Sequence, residues 1–351
     1  MKPGKVTTLA ALVVLTVTML TTSCKRREPD VIELAFDNIN SGPGADERTI
    51  QSIQKVDTFF TITYHREYEE RLQWLNDYHM NKAAEIDKSR SCSLFVTTTA
   101  SDVPIMGRNF DRLKETPVLA KFSPPGKYSS FAFSPFSEVH IKNVVKKAPP
   151  TEVQADAFLT ALPFYATDGI NEKGLVIGLA GAPVRKIKSS TDLQSMFVLL
   201  FIRHVLDNFQ SVDQVAEFAE TVSLYDRSIS TISHHFMVLD STENWLVIDY
   251  PNGSLRLTRG SQEPQYRTNH FLDGGPALPE APTSFNRFNK LHNKLNTSEK
   301  LQSTFEAMEL LKQVRSGTAW SVVYEPHTKS GFLAAKENYR KLYRFGFSEI
   351  D

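Results

Sequence analysis

The stretch Ser91-Cys92-Ser93-Leu94-Phe95-Val96, followed after a polar turn by Gly107-Arg108-Asn109-Phe110-Asp111, decides how the rest of the chain is interpreted. Two apolar runs separated by a polar turn over 99–102 predict a β-hairpin. Such a hairpin places Cys92 opposite Phe110 or Asp111. Arg108 and Asp111 therefore lie within one to three residues of the thiol across the sheet.

The side chains of this hairpin suit a thiol enzyme. The chain has two cysteines, and because Cys24 lies in a processing signal, Cys92 is the only thiol in the body of the protein. A nearby arginine lowers the pKa of a thiol and favours the thiolate, and an aspartate can hold a charged terminal amine. The structural alternative is a buried Cys92 that packs as a small apolar residue, beside an Arg108–Asp111 salt bridge.

Length and composition exclude several function classes. With 351 residues, 41% of them hydrophobic, the chain can bury a full core and suits one large domain or two small ones. Lysine plus arginine equals aspartate plus glutamate at 40 each, so no net basic charge attracts nucleic acid. We therefore predict a globular protein that does not bind nucleic acid.

Residues 1–23 have the pattern of a secretory signal peptide, with two lysines, an apolar run from Leu9 to Leu20 and small polar residues before Cys24. The run is too short to cross a bilayer comfortably. Its end resembles the bacterial lipobox, although the leucine stands one position early, at Leu20. This implies export to the periplasm or cell envelope and lipidation of Cys24, with the lipid as the only membrane contact. A secreted protein with an unmodified Cys24 is the alternative.

Residues 24–91 are predicted to be a tether and a prosegment, ahead of a catalytic domain over 92–351. The sequences at 25–29 and 38–44 are polar and rich in glycine and proline, as expected of a flexible tether. Residues 67–86 carry aromatic and apolar residues at helical spacing and predict a helix. The charged run that ends at Arg90 is a plausible site of cleavage.

Further blocks along the chain resemble one enzyme family. In chain order they are Cys92, Gly107-Arg108-Asn109-Phe110-Asp111, Phe122-Ser123-Pro124-Pro125-Gly126-Lys127-Tyr128-Ser129-Ser130, Asp168-Gly169-Ile170-Asn171-Glu172-Lys173-Gly174-Leu175, Thr268-Asn269-His270-Phe271, Arg287 and Thr318-Ala319-Trp320-Ser321-Val322-Val323-Tyr324. Each block alone is weakly specific. In this order they resemble the choloylglycine hydrolase and penicillin V acylase family, N-terminal-nucleophile hydrolases of linear amides.

The resemblance implies a four-layer αββα sandwich and a set of catalytic residues. Cys92 would be the nucleophile, and Arg108 and Asp111 would orient and tune its thiolate and amine. Asn269 would donate to the oxyanion or the scissile amide, and Arg287 would hold the set together electrostatically. Considered alone, Asn269 is better interpreted as a turn residue and Arg287 as a surface ion-pair residue.

One position departs from the family pattern. Bile-salt hydrolases and penicillin acylases carry a polar asparagine or tyrosine after the Gly-Leu block, where this chain has Gly181. Glycine supplies a backbone N–H but no side-chain donor. Gly181 is therefore a candidate oxyanion contact through its backbone alone, and neither a bile salt nor a penicillin is implied as the substrate.

Amide hydrolysis by a cysteine needs a base and fixed donors for the oxyanion. A cysteine at a chain terminus can use its own α-amine, whose ordinary pKa is about 8. Cleavage of the Ser91–Cys92 bond is then required for activity, and neither a histidine nor a cofactor is needed. The pair His234-His235 does not predict a metal site, because neighbouring residues on a strand point to opposite faces.

The hydrophobic pattern by itself predicts an α+β fold, because runs of strands are followed by pairs of helices. Strands are expected at 59–64, 93–98, 103–110, 131–141, 174–179, 235–240, 245–250, 254–258, 320–325 and 332–335. Helices are expected at 67–86, 193–208, 211–221, 284–295 and 299–314. The third of these helices opens with a capping box, Ser211-Val212-Asp213-Gln214.

Three functions are compatible with these residues. The first is a cysteine amidohydrolase that cleaves a small N-acyl amide through a thioester. The second is a non-catalytic envelope lipoprotein that binds a ligand with the same fold, and the third is an acyltransferase that uses the same site. The sequence does not decide the substrate, the association of copies into a homo-oligomer, or whether the prosegment stays bound after cleavage.

Overall fold

The computed structural model describes residues 28–38, 45–65, 75, 91–135, 162–188, 192–226, 228–273 and 281–347. These residues form two large β-sheets packed face to face, with a pair of helices on each outer surface. The four layers confirm the predicted α+β sandwich.

The first sheet has seven strands in the order β1-β18-β17-β16-β5-β4-β15. They are β1 (Asp30–Glu33), β4 (Ser91–Thr98), β5 (Pro104–Asp111), β15 (Gln265–Arg267), β16 (Trp320–Glu325), β17 (Ser330–Ala335) and β18 (Lys341–Gly346). The predicted hairpin therefore lies near one edge of this sheet, between β15 and β16.

The second sheet has nine strands in the order β14-β13-β12-β9-β8-β7-β6-β3-β2. They are β2 (Gln54–Val56), β3 (Phe59–Tyr64), β6 (Pro117–Phe122), β7 (Ser130–Pro135), β8 (Asp168–Asn171), β9 (Val176–Lys186), β12 (Thr231–Leu239), β13 (Asn244–Asp249) and β14 (Arg256–Ser261). A separate parallel pair joins β10 (Gln194–Phe197) to β11 (Val222–Tyr225).

Five α-helices lie wholly within the described residues. They are α1 (Ala45–Gln51), α2 (Val198–Asn208), α3 (Val212–Thr221), α4 (Ser284–Leu295) and α5 (Thr304–Gln313), and a 3₁₀ turn covers Leu162–Phe164. Helices α2 and α3 cover the outer face of the nine-stranded sheet, and α4 and α5 cover that of the seven-stranded sheet. Each helix pair thus shields one apolar sheet surface from water.

The hairpin of β4 and β5 has the predicted register. Cys92 pairs with Phe110, and Ser91 pairs with Asp111. Side chains alternate between the two faces of a strand, so Cys92 belongs to the core between the sheets whereas Phe95 belongs to the core under the helices. The nucleophile candidate therefore lies inside the sandwich, between the two sheets.

The segment before Cys92 contributes to both sheets. Strand β1 runs parallel to β18 in the first sheet, and β3 runs parallel to β6 in the second. The tether sequences at 25–29 and 38–44 lie mostly outside the described residues, as does the predicted helix at 67–86 apart from Leu75, which is helical and buried. The boundary at Cys92 stays a prediction.

Several predicted boundaries were wrong. The helix expected at 193–208 begins at Val198, because Gln194–Phe197 pairs with β11 instead. The helix expected at 299–314 begins at Thr304, since the Ser303 hydroxyl caps it by accepting from the Glu306 N–H. The strand expected at 254–258 runs from Arg256 to Ser261. The helix expected at 284–295 has the predicted bounds.

Candidate active site

Cys92 is the second residue of β4 and is fully buried. In the intact chain its nitrogen belongs to the Ser91–Cys92 peptide bond. Its N–H donates to the Oδ1 atom of Asn269 at 3.0 Å. The asparagine follows β15, the edge strand that pairs with β4, so the sheet itself brings the two residues together.

Asn269 holds several groups around Cys92. Its Nδ2 atom donates to the Gly181 carbonyl at 2.8 Å, and its own N–H donates to the Ser284 hydroxyl at 2.7 Å. Asn269 therefore touches Cys92 through its side-chain oxygen. Donation to an oxyanion, which the sequence predicted, is not the contact seen in the intact chain.

Arg287 lies in the first turn of α4 and reaches across the start of β4. Its Nη1 atom donates to the Cys92 carbonyl at 2.5 Å, and its Nη2 atom donates to the Ser91 hydroxyl and to Asn269 Oδ1, both at 2.6 Å. It also forms an ion pair with Asp111 at 3.3 Å. The arginine is nearly fully buried, which excludes the alternative of a surface ion pair.

Asp111 is buried opposite Ser91, one position from Cys92 across the hairpin. The Thr318 hydroxyl donates to its Oδ1 atom. Burial raises the pKa of this carboxyl above its ordinary value, although the charge of Arg287 opposes the shift. Asp111 and Arg287 together place one buried charge pair beside the Ser91–Cys92 bond.

Arg108 is paired with a residue that the sequence analysis did not assign. Its guanidinium forms a fully buried ion pair with Asp168 and donates from Nη2 to the Leu179 carbonyl at 3.1 Å. The Tyr324 hydroxyl donates to the second oxygen of Asp168 at 2.8 Å. Asp168 begins the Asp-Gly-Ile-Asn block of the family resemblance. The block marked this residue as part of the family pattern but did not show that it pairs with Arg108.

The thiol itself is protonated in the intact chain at neutral pH. Burial raises the pKa of Cys92, and this outweighs the opposing charges of Arg108 and Arg287 and a hydrogen bond from the Gly181 backbone. Arg108 thus lowers the pKa of the Cys92 thiol, as expected, but burial raises this pKa by more. Gly181 lies at an irregularity between β9 and β12, and its role as an oxyanion contact stays a prediction.

The structure therefore brings together five of the predicted residues, Cys92, Asp111, Gly181, Asn269 and Arg287. Arg108 pairs with Asp168 instead, and its charge still acts on the Cys92 thiol. Cys24 lies outside the described residues. His234 and His235 point to different partners, Asp226 and Asp249. Among the described residues there is no group of three metal-ligating side chains and no helix long and apolar enough to span a membrane.

Comparison with protein families finds a match to the acyl-coenzyme A:6-aminopenicillanic acid acyl-transferase family over residues 157–333, which is half of the chain. The chain belongs to this family. Comparison with curated proteins finds no match. The matched region contains Asp168, Gly181, Asn269 and Arg287, whereas Cys92 and the hairpin precede it.

Solved structures with a similar fold include members of the choloylglycine hydrolase and penicillin V acylase group. A conjugated bile acid hydrolase from Clostridium perfringens has 14% sequence identity and a TM-score of 0.52, covering 74% of this chain and 94% of the hydrolase. Penicillin V acylase from Agrobacterium tumefaciens has 17% identity and a TM-score of 0.48, covering 74% and 87%. The acyl-transferase family member thus has the N-terminal-nucleophile fold that the sequence predicted.

Proposed function

We propose that this family member is a cysteine amidohydrolase that cleaves a linear carbon–nitrogen amide bond of an N-acyl substrate through a thioester on Cys92. The observation that carries the proposal is the hydrogen bond from the Cys92 nitrogen to Asn269, within a buried set that includes Arg287 and Asp111. A packing cysteine would not need its backbone nitrogen and carbonyl held by two buried polar side chains.

Cleavage of the Ser91–Cys92 bond activates the enzyme in this proposal. Before cleavage the Cys92 nitrogen is an amide and cannot accept a proton, and burial keeps the thiol protonated. After cleavage the nitrogen becomes an α-amine with an ordinary pKa of about 8. Asn269 Oδ1 then accepts from the amine in place of the amide, which holds the base next to its own thiol.

Turnover follows from these positions. The α-amine takes the thiol proton, the sulfur attacks the acyl carbon, and the amine returns the proton to the leaving nitrogen as the thioester forms. Water then attacks the thioester with the amine again as base. The Gly181 backbone, which lowers the pKa of the Cys92 thiol, is the oxyanion donor in this proposal.

The segment before the cleavage site stays bound to the enzyme in this proposal. Strands β1 and β3 are hydrogen-bonded into the two sheets and cannot leave without exposing apolar strand edges. If Cys24 is lipidated after export, these strands would keep the catalytic chain attached to the anchored chain. Membrane fractions should then contain both chains after cleavage.

The decisive experiment compares two cysteine variants. The wild type should give a chain that begins at Cys92 by N-terminal sequencing and intact mass, and it should hydrolyse N-acyl amides. Cys92→Ala should block both cleavage and turnover, reducing hydrolysis by at least about 10⁴-fold. The matched control, Cys24→Ala, should lose the lipid anchor but keep both cleavage and turnover. An uncleaved protein that still hydrolyses amides would overturn the mechanism, and a cleaved protein without turnover would favour ligand binding.

Asn269→Ala tests the contact that carries the proposal. We expect cleavage to be slowed and turnover by the cleaved fraction to fall about 10²- to 10³-fold, as for the loss of a preorganised donor or acceptor in an active site. The control is Asn296→Ala, an exposed residue after α4 that bonds to Tyr266 and His292. Normal turnover in Asn269→Ala would show that the hydrogen bond to Cys92 is only structural.

Acyl transfer is the second candidate, because the matching family is described as an acyl-transferase family. The same thioester would react with an amine acceptor in place of water. The two are separated by adding a primary amine to the hydrolysis assay and quantifying the products. A new amide that forms at the expense of the free acid would establish transfer.

A further inference from the structure

One end of the sandwich, which we call the Cys92 end, is where β4 begins. Strand β5 is antiparallel to β4 and therefore ends there. In the second sheet, β9 reaches the same end, because Asn269 bonds to both the Cys92 nitrogen and the Gly181 carbonyl. The loops that leave the two sheets at this end therefore form one surface of the protein.

Exposed apolar side chains are concentrated on this surface. Seven large apolar side chains are exposed among the described residues, and the two outside the Cys92-end loops lie in the edge strand β1. The other five, which are between 41% and 57% exposed, are Leu113, Val184, Ile229, Leu272 and Phe285. None of the seven lies in a loop at the opposite end. Such a concentration is typical of a surface that contacts a protein or a membrane.

On the side of the second sheet, contacts join these residues into one patch. The end of β9 bonds to the loop that holds Ile229, since the Ile187 N–H donates to the Ser230 carbonyl at 2.9 Å. Arg185, also at the end of β9, lies over the ring of Phe271 at 4.7 Å. Phe271 is followed by the exposed leucine, so β9 and both loops share this patch.

The patch continues on the side of the first sheet. The rings of His270 and Phe285 pack with their centroids 4.1 Å apart, which links the exposed leucine to the start of α4. The Thr283 hydroxyl bonds to that of Ser316 at 3.3 Å. The next residue, a glycine, lies against Leu113. All five exposed apolar residues are thus part of one continuous surface.

Cations flank the apolar residues of this patch. Lys186 and Lys188 are exposed, and neither forms an ion pair with an acid in the part of the chain that the structure describes. Arg185 donates to backbone carbonyls and leaves its charge unpaired there. Asp273, an acid of the same surface, already pairs with Arg256. The β9 side of the patch therefore carries a net positive charge.

The N-terminal segment enters the fold at the same end. Strand β1 is parallel to β18, and β18, β17, β16 and β5 are successively antiparallel, so β1 also begins at the Cys92 end. Its first residue, Asp30, follows Cys24 by six residues, which span at most about 21 Å. A lipid on Cys24, as the sequence predicts, would hold this end of the sandwich close to the bilayer.

We propose that the Cys92 end docks on an anionic lipid bilayer. The five exposed apolar side chains would enter the interface, and Arg185, Lys186 and Lys188 would bind the lipid phosphates. A second copy of the chain fits this surface less well, because a symmetric contact would bring the same cations together. The proposal does not depend on amide hydrolysis at Cys92.

The test measures vesicle binding by the mature chain from residue 24 with Cys24→Ala, which carries no lipid. Vesicles of phosphatidylcholine alone are compared with an equal mixture of phosphatidylcholine and phosphatidylglycerol, and binding is measured by co-sedimentation. We expect at least about 30-fold tighter binding to the anionic vesicles, since each basic residue near an anionic surface contributes about fivefold. The preference should fall as salt is added.

Charge reversal on the patch gives the first comparison. Lys186→Glu together with Lys188→Glu should weaken binding to the anionic vesicles by about 30-fold or more. The matched control is Lys300→Glu with Lys329→Glu, which changes the net charge equally at the opposite end. There Lys300 contacts an exposed acid of the β4–β5 turn, and Lys329 lies in the turn between β16 and β17. The control should bind nearly as tightly as the unsubstituted chain.

The apolar residues give the second comparison. Ile229→Ser with Leu272→Ser should weaken binding to the anionic vesicles by about 10-fold or more, since less apolar surface leaves water. Ile229→Trp adds a reporter at the exposed loop. Its fluorescence, taken as the difference from the chain without the substitution, should shift to shorter wavelengths when anionic vesicles are added.

Three outcomes would overturn the proposal. The first is equal affinity for the two kinds of vesicle, and the second is an equal loss of binding in the two lysine variants. The third is a dimer, seen by sedimentation velocity without vesicles, that Ile229→Ser with Leu272→Ser dissociates, since a second copy would then cover the surface. Thermal unfolding checks that each variant is folded. If one is not, the salt dependence and the tryptophan reporter decide.

Discussion

Two buried ion clusters lie in the layer between the sheets, and they are built differently. Asp168 faces one cation, Arg108, and its two oxygens accept from Thr167 and Tyr324 as well. Asp249 faces two arginines and a histidine, and three nitrogens around it have no partner among the described residues. Asp168 thus depends on a single cation, whereas Asp249 has two arginines beside it, one of which also pairs with exposed Asp273.

The difference determines how strongly each cluster depends on one of its cations. A balanced pair with every oxygen bonded is complete without a ligand, and Arg108 packs over the Phe110 and Trp320 rings, which fixes the strand that faces Cys92. In the second cluster Asp249 keeps other partners when one arginine is lost. Removing one cation should therefore destabilise the protein far more in the first cluster than in the second.

The largest effect is expected for Arg108→Met, which leaves Asp168 buried without a cation. Breaking a buried pair on one side costs about 3–5 kcal/mol, which corresponds to a fall in Tm of roughly 6–20 °C. Thermal unfolding of the Cys92→Ala background, which stays in one uncleaved form, measures it. The double variant Arg108→Met with Asp168→Leu should recover much of the loss; a double variant as unstable as the single one would contradict the charge argument.

Asp249→Asn should destabilise by about 3 kcal/mol, at the lower end of this range because Arg256 is partly in water. The pKa of Asp249 is lowered in the folded state, so its contribution is fully present above the unfolded value of about 4 and is lost as the pH falls below it. The difference in unfolding free energy between wild type and variant should shrink from pH 4 downward. A difference that is constant from pH 7 to 2 would show that Asp249 is not ionised.

The smallest effect is expected for Arg256→Gln, because Asp249 keeps Arg267 and His235 as partners. We expect a change within about 1 kcal/mol in unfolding free energy, with Arg259→Gln as the exposed control on the same strand. A loss as large as that of Arg108→Met would remove the distinction between the two clusters and favour a structural role for both.

The β4–β5 hairpin, with Cys92 near Asp111, could be predicted from the sequence because its signals are local. Asn269 and Arg287 were assigned only through the family resemblance, because nothing in the sequence around them relates them to Cys92. Alternating apolar residues and a polar turn set the register of β4 on β5, and this register alone relates Cys92 to Asp111. The helix over 284–295 has the predicted bounds because its amphipathic pattern is long enough to be unambiguous. Its first turn then carries Arg287 to the site.

The rest depends on contacts between distant parts of the chain. Strands β1, β15 and β18 are short strands at or near the edges of the first sheet. They form by pairing with strands, and β1 and β15 pair with segments that are far away in sequence. Asp249 lies in the strand predicted at 245–250 and Asp168 in a block of the family resemblance, and nothing local shows which cation lies across the sandwich from either. The contact between His235 and Asp249 depends on the register of β12 on β13. The last paired residues of these strands are Phe236 and Ile248, which are the chain neighbours of His235 and Asp249.

The pairing of β1 with β18 brings residues 30–33 against residues 341–344, close to the two ends of the described chain. The groups that hold Cys92, Asn269 and Arg287, are made 177 and 195 residues after it. Under the proposed mechanism a ribosome-bound or truncated chain that lacks them cannot assemble the cleavage site. If cleavage before Cys92 activates the enzyme as proposed, only fully synthesised copies would become active.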